Sequence, residues 1–338
     1  MIPDNTPLPV GLGPTRSELL NLLESCEPSR DLLKIMAWAA CSWLNAEHNS
    51  GAKQPSQVVS QLVRPFTCGI INAKSGLCGE DCSFCAQSRH HSASVPVYPL
   101  MKPRAILAKA EQLADQGVYY LGLVISGGTP NQNDFEKICE AALEIRNRFK
   151  IKLCASLGLI SPDRARNLKQ AGFTSYHHNL ETAPGFYSRV CGTHSIERRL
   201  ETVKNARRAG LRVCSGGIFG LGESWTQRLE LAELLGSLEV DSIPINFLTP
   251  IAGTPLERAR PLTPIEALLI IALFRISNPS RDIVICGGRG LVLGEWDRLV
   301  FSAGANGLMV GDYLTTKGRA LERDLNLLSD LGLRPSFF

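Results

Sequence analysis

Short apolar runs alternate with amphipathic stretches along most of this chain. From Arg16 the apolar positions fall at helical spacing: Leu19, Leu20, Leu22 and Leu23, then Leu32, Leu33, Ile35, Met36, Trp38 and Ala39. Pro28-Ser29-Arg30-Asp31 divides this region into two helices. Residues 1–14 are rich in Pro and Gly and read as loose chain, and His48 to Pro55 reads as a polar linker. From Val59 onward eight runs predict strands: Arg64–Asn72, Val118–Ser126, Lys152–Ser156, Ser175–Asn179, Arg212–Phe219, Ser242–Phe247, Asp282–Cys286 and Gly307–Met309. Between them the helical pattern recurs near 103–116, 132–149, 161–171, 194–209, 224–236, 263–275 and 290–302, with a last helix near 319–332. Strict alternation predicts an α/β protein with a parallel sheet, and eight strands close a TIM-type (β/α)8 barrel. The expected organisation is an N-terminal helical extension and linker over 1–55, the barrel over 56–318, and a C-terminal helix and tail over 319–338. In such a barrel the active site lies at the carboxyl ends of the strands.

Composition narrows the class. The 338 residues are 44% hydrophobic and 20% charged, which suits a large globular core. A formal charge of +4 without a basic block makes no case for nucleic acid. No apolar run nears the ~20 residues of a membrane span. Met1 to Pro14 lacks the charged start and apolar core of a signal peptide. Eleven cysteines without an export signal point to a reducing, cytoplasmic setting, where clustered thiols hold metal or do redox work.

Three of those cysteines stand close together in Cys78-Gly-Glu-Asp-Cys82-Ser-Phe-Cys85, just after the first strand. Thiolates at this density suit zinc or an iron–sulfur cluster. A structural zinc is closed by four ligands, and no fourth presents itself. Cys68 lies on the strand side, and His90 and His91 lack finger spacing and read as a solvated loop. Three ligands on a four-iron cube leave one iron open for chemistry. Phe84, just before the last cysteine, is placed to shield such a cluster from water. Three structural thiols or a zinc site are the alternatives. Further along, strand two ends in Gly127-Gly128, where a ligand can approach the backbone closely. Asn179 and Glu181 alternate with Leu180, so both face one side, and an amide with a carboxylate suits ribose hydroxyls. Asn246 carries a bidentate amide at the end of strand six. Cys154 alone on an apolar strand reads as a small buried hydrophobe.

The cysteine spacing resembles that of the radical S-adenosylmethionine superfamily. From about residue 60 the chain resembles the biotin synthases in particular. The resemblance rests on His178-Asn179-Leu180-Glu181-Thr182, the run from Cys214 to Glu223, Pro244-Ile245-Asn246-Phe247-Leu248, Gly287-Gly288-Arg289 and Ala303-Gly304-Ala305-Asn306. It implies that Cys78, Cys82 and Cys85 hold a [4Fe-4S] cluster. It places Gly127 and Gly128 at the methionine moiety of S-adenosylmethionine, Asn179 and Glu181 at the ribose, and Ile218, Gly220 and Glu223 at the adenine. The family more often has Asp where this chain has Glu181. Asn246 would hold the ureido ring of dethiobiotin. The implied reaction begins with reductive cleavage to a 5′-deoxyadenosyl radical. That radical takes hydrogen from C9 and C6 of dethiobiotin, and sulfur enters from an auxiliary cluster. A flavodoxin- or ferredoxin-type electron donor and a homodimer are implied as well.

The chain departs from the better-known members at the auxiliary cluster. Those hold a [2Fe-2S] cluster with three cysteines and one arginine on strands two, three, five and seven. Here Cys154 and Cys214 fill two of these positions, but Gly122 and Val284 stand at the others. In exchange, Cys68 appears on strand one and Cys286 on strand seven, on the same side as Val284. Odd strands share interior layers of a barrel, so Cys68, Cys154, Cys214 and Cys286 are expected to form a four-thiolate ring. This resembles variants that carry a [4Fe-5S] cluster; a [2Fe-2S] cluster is the alternative. Cys26, Cys41, Cys139 and Cys191 read as non-ligands. Two other functions stay open at this point. One is a methylornithine-synthase-like or hydrogenase-maturase-like enzyme without sulfur insertion. The other is a non-catalytic iron–sulfur or zinc carrier or sensor.

Overall fold

The computed structural model describes residues 14–25, 28–49 and 65–333. The N-terminal leader, Cys26, the residues after Leu333 and most of the expected linker lie outside the described residues. Two helices come first, α1 (Arg16–Glu24) and α2 (Pro28–Asn49). Pro28 opens α2, where its missing N–H costs nothing, and α2 runs on into the stretch expected to be linker. The parallel strand segments follow as β1 (Phe66–Lys74), β2 (Tyr120–Ile125), β3 (Lys152–Ser156), β4 (Ser175–His177), β5 (Arg212–Cys214), β6 (Gly217–Phe219), β7 (Ser242–Phe247), β8 (Asp282–Ile285) and β9 (Gly307–Met309). β1 pairs with both β2 and β9, while β5 and β6 both pair with β7, so the sheet closes on itself. This is the TIM-type (β/α)8 barrel that the alternation of apolar runs predicts.

The expected strand Arg212–Phe219 is broken into β5 and β6, which together form the fifth barrel strand. A Cβ at Gly216 would stand 2.0 Å from the Pro244 carbonyl oxygen, so the chain passes too close to β7 there for any side chain. The Gly216 carbonyl turns instead to accept the amides of Leu180 and Glu181 at 3.0 and 3.2 Å. The sixth, seventh and eighth barrel strands are thus β7, β8 and β9.

Between the strands lie α3 (Pro103–Asp115), α4 (Gln132–Arg148), α5 (Pro162–Gln170), α6 (Pro184–Tyr187), α7 (Ile196–Arg208), α8 (Trp225–Ser237), α9 (Pro264–Ser277) and α10 (Arg289–Val292), with α11 (Leu321–Asp330) at the end. Side-chain oxygens of Asn131, Ser161, Ser224 and Thr263 accept a free amide at the starts of α4, α5, α8 and α9. The helix expected near 290–302 splits into α10 and a 3-10 turn, Gly294–Leu299, because Gly294 adopts a positive φ of 52°. α9 is buried on every side from Ala267 to Ser277. Its sequence is correspondingly apolar all round, since the barrel covers one face and α2 the other. Trp43 of α2 lies over the buried Arg275 guanidinium at 4.4 Å. α1 packs against α8, with Arg16 Nε 3.1 Å from Glu233.

α11 is fastened by a fully buried ion pair. Arg289 Nη2 donates to both carboxylate oxygens of Asp324 at 2.7 Å, and neither side chain is exposed at all. Removing one partner strands a buried charge. Asp324→Ala is therefore expected to destabilise the protein by about 3–5 kcal/mol, read as the shift of the denaturant midpoint. Asp324→Asn, which keeps an acceptor, is expected to cost less.

Candidate active site

A cavity of about 430 Å³ occupies the barrel interior and reaches the loop after β1. Cys78, Cys82 and Cys85 all line it. Their loop is held by its own backbone: the amide of Cys78 donates to Gln87 at 2.9 Å, that of Cys85 to Cys82 at 2.9 Å, and that of Arg89 to Cys78 at 2.9 Å. His90 and His91 do more than face solvent. Their Nε2 atoms lie 2.9 and 3.0 Å from the carbonyls of Gly79 and Cys82, bracing the turns between the cysteines. Phe84 also lines the cavity and packs with Phe186, Val190, Leu221 and Leu248.

Across from this loop, Gly127 has a φ of 112° and nothing within 4 Å of a would-be Cβ, so its backbone is open to the cavity. The carbonyl of Gly128 already accepts two hydrogen bonds, from Leu159 N at 2.7 Å and Thr129 Oγ1 at 2.8 Å. Both carbonyls pack over Gly158, where a Cβ would stand 2.3 Å from Gly128 O and 2.8 Å from Gly127 O. Asn179 and Glu181 are buried side by side, with Asn179 Nδ2 3.2 Å from Glu181 Oε2. Glu181 itself holds a φ of 69°, uncommon for a residue with a side chain. His178 Nε2 is buried in the cavity wall and has no hydrogen-bond partner among the described residues.

Of the residues expected around an adenine, Ile218 lines the cavity but Gly220 and Glu223 do not. The Glu223 carboxylate turns back on its own loop. It accepts the amides of Gly220 at 3.0 Å and Leu221 at 2.8 Å and pairs with Arg228 at 2.8 Å. The run Gly220-Leu221-Gly222-Glu223 is thus a self-capped turn, and Glu223 shapes the wall from behind. Asn246 lines the cavity with its amide bridging two strands, donating to Gly217 O at 3.2 Å and accepting from Gly287 N at 3.0 Å.

Sequence reasoning missed Arg199, which binds the elements together. Its Nη1 donates to Asn179 O at 2.8 Å and pairs with Glu181 at 3.3 Å; its Nε reaches Tyr187 Oη at 2.6 Å and His194 Nε2 at 3.0 Å. Because His194 Nε2 accepts, its Nδ1 carries the hydrogen and donates to Glu80 at 2.8 Å, on the cysteine loop. Burial pushes the Glu181 carboxyl up despite the guanidinium beside it. Cys191, read as a non-ligand, lies 3.2 Å from His194 Nδ1. Among the described residues, one trio of metal-ligand atoms lies within 4.8 Å of one another: Cys82, Cys191 and His194. A hydrogen bond from Cys82, helped by His194 and Thr193 against burial, holds the Cys191 thiol down to about 4, while Cys82 is pushed far up. The Cys191 thiol also reaches Asp81 Oδ1 at 3.2 Å, and a metal on Cys82 would displace the proton of Cys82 itself. The backbones are clamped on both sides of this contact, by Ser83 N to Val190 O at 2.9 Å and by Asp81 accepting the amides of Gly192 and Thr193 at 2.9 and 3.0 Å. Cys41 is exposed on α2, and Cys139 is half-buried on α4, away from the cavity.

Deeper in the barrel, Cys68, Cys154, Cys214 and Cys286 line the same cavity from the first, third, fifth and seventh barrel strands. Burial pushes the Cys68, Cys214 and Cys286 thiols far up and Cys154 up to about 11. Neighbouring thiols add to this: Cys286 and Cys154 act on Cys68, Cys154 and Cys68 on Cys214, and Cys214 on Cys286. Four thiolates cannot coexist there without a cation, which is the condition a metal centre satisfies. Among the described residues, no three of these sulfurs lie within 4.8 Å of one another. At the positions read as lost ligands, Gly122 is the register partner of Cys154 and Val284 is buried against Cys286.

Comparison with known proteins bears on this geometry. Residues 74–235 match the model of the radical SAM superfamily, and residues 244–334 match that of the biotin and thiamin synthesis associated domain. A biotin synthase of Nitratidesulfovibrio vulgaris (Miyazaki F) is 54% identical over 315 residues, covering 90% of this chain and 83% of the relative. One from Oleidesulfovibrio alaskensis is 51% identical over 268 residues, covering 79% and 83%. The chain belongs to the biotin synthase family. Membership makes it a radical S-adenosylmethionine enzyme, which uses a [4Fe-4S] cluster and S-adenosylmethionine. Solved structures share the fold. The crystal structure of a methylornithine synthase superposes with a TM-score of 0.80 at 20% identity, over 96% of this chain and 95% of that one. A FeFe-hydrogenase maturase from Carboxydothermus hydrogenoformans gives 0.70 at 16%, over 95% and 82%. Among the described residues no helix is long and apolar enough to cross a membrane.

Proposed function

We propose that this chain converts dethiobiotin to biotin by inserting sulfur at C6 and C9, using two metal centres that face one cavity. The observation that carries the reading is the presence of two separate thiol sets in that cavity: Cys78, Cys82 and Cys85 on the loop after β1, and Cys68, Cys154, Cys214 and Cys286 on the odd barrel strands. When bound, the [4Fe-4S] cluster supplies the electron that cleaves S-adenosylmethionine, and the auxiliary cluster supplies the sulfur. Cys78, Cys82 and Cys85 would hold the first. The four odd-strand cysteines would hold the second, and four thiolates suit a [4Fe-5S] cluster better than a [2Fe-2S] cluster closed by arginine. Gly127, with its neighbour Gly128, would take the amino group of the methionine moiety. Asn179 and Glu181 would take the ribose hydroxyls, positioned by Arg199. Ile218 would flank the adenine, with Gly220 and Glu223 shaping its turn. Asn246 would present its amide to the ureido ring. A mutase or lyase of the same fold has no use for thiolates so deep in the barrel. A flavodoxin- or ferredoxin-type reductant, a homodimeric assembly and a cytoplasmic location complete the proposal.

The test is direct. Protein reconstituted without air is expected to hold the iron of two clusters. With dithionite, S-adenosylmethionine and dethiobiotin it is expected to form both 5′-deoxyadenosine and biotin. Fully loaded protein that makes 5′-deoxyadenosine but no biotin would overturn the reading.

A further inference from the structure

We infer that His177 is a positioning residue for the auxiliary cluster, donating a hydrogen bond to the sulfur of Cys214 and thereby raising that centre's reduction potential. The inference rests on the four-cysteine reading above. His177 and Cys214 are register partners on the adjacent parallel strands β4 and β5. The imidazole Nδ1 stands 3.4 Å from Cys214 Sγ. Both residues line the cavity. A metal-bound thiolate carries no proton, so the hydrogen between these two atoms resides on nitrogen.

The four sulfurs are not alike in this respect. Cys214 also faces the Ser242 hydroxyl, and Cys154 faces that of Ser175. Cys286 Sγ instead lies 3.6 Å from a carbonyl, Val284 O, and burial and the neighbouring thiols act on Cys68. The donors therefore gather on the Cys154–Cys214 side of the ring. Reduction adds negative charge to the cluster and its thiolates. A fixed N–H aimed at one sulfur stabilises the reduced form more than the oxidised form. Outer groups that orient and polarise ligands in this way are part of what sets a metal centre's potential.

The experiment uses the full chain with Cys78, Cys82 and Cys85 all changed to Ala, so that only the second centre is read. In that background His177→Phe keeps the ring volume and removes the donor. His177→Asn keeps a donor, because its amide nitrogen is as many bonds from Cβ as Nδ1. Iron and sulfide are counted, and the midpoint is found by redox titration followed by visible absorption. His177→Phe is expected to make reduction about tenfold less favourable, a fall of about 59 mV for a one-electron couple, while His177→Asn stays near the parent. Loss of iron in His177→Phe with retention in His177→Asn also counts for the donor. Full iron in both variants with an unmoved midpoint would overturn the role of His177. A parent background that holds no iron would overturn the four-cysteine reading instead.

Discussion

A Cys286→Ala variant, assembled without air, is expected to keep forming 5′-deoxyadenosine while biotin falls at least about 100-fold. Loss of a group that merely orients a metal ligand already costs 10- to 100-fold in affinity or activity, and Cys286 would be a ligand itself. The residue follows β8 and is 2% exposed, packed with Phe66 and Val284. Its thiol is pushed up by burial and then by Cys214, so removing it leaves three thiols still crowded around an incomplete centre. The loop carrying Cys78, Cys82 and Cys85 is held by its own amides and by His90 and His91, none of which touches Cys286. Iron analysis should therefore show the loss of about one cluster's content, and the two products, measured together, should part company. Unchanged iron, or biotin made at the parent rate, would remove Cys286 from the sulfur-donating centre. Cys68→Ala is expected to behave in the same way.

Arg199→Leu is expected to lower stability by about 3–5 kcal/mol, the usual cost of leaving one half of a buried ion pair alone. At this chain length that corresponds to a fall of about 4–7 °C in Tm. Arg199 holds Asn179, Glu181, Tyr187 and His194 at once, and only a planar fork can do so. Arg199→Lys is accordingly not expected to rescue the loss. The effect has a pH signature. Burial raises the Glu181 carboxyl and Arg199 opposes that rise, so without the guanidinium Glu181 rises further. A group raised on folding binds more protons when folded, and its stability contribution falls as pH rises through the window between its unfolded and folded values. The deficit of Arg199→Leu should therefore be larger at pH 8 than near pH 5, as differential scanning at the two values would show. Binding of S-adenosylmethionine should weaken in parallel, because Asn179 and Glu181 lose their anchor. An unshifted Tm would mean that the pair contributes little.

The contrast between Glu223 and Arg199 shows how far the sequence alone reaches. Glu223 ends a run whose pattern suggests a ligand contact, yet its carboxylate caps the amides of Gly220 and Leu221 and pairs with Arg228. A local pattern records that a tight turn exists there but not which way its acid points. Arg199 sits on α7 among other charged residues, and nothing in its neighbourhood distinguishes it from a solvated helix face. His194, Glu80 and Cys191 are hidden for the same reason, since their partners are far away along the chain. The break at Ser215-Gly216 follows equally from a contact with β7 that no local pattern records.

What the linear order of residues determined is the alternation of strand and helix, and with it the closed parallel barrel. Periodicity and caps act over a few residues, and eight repeats leave few other ways to bury the apolar faces. It also determined the loop of three cysteines, because ligands so close in sequence cannot be far apart in space. Only the closing of the barrel decided which scattered groups meet. It brought Arg199 to Glu181, Cys191 to Cys82, and His177 to Cys214, and it set four distant thiols around one interior. These contacts depend on the register between strands and on the packing of loops at the mouth, and such long-range placement emerges only when the whole chain has folded.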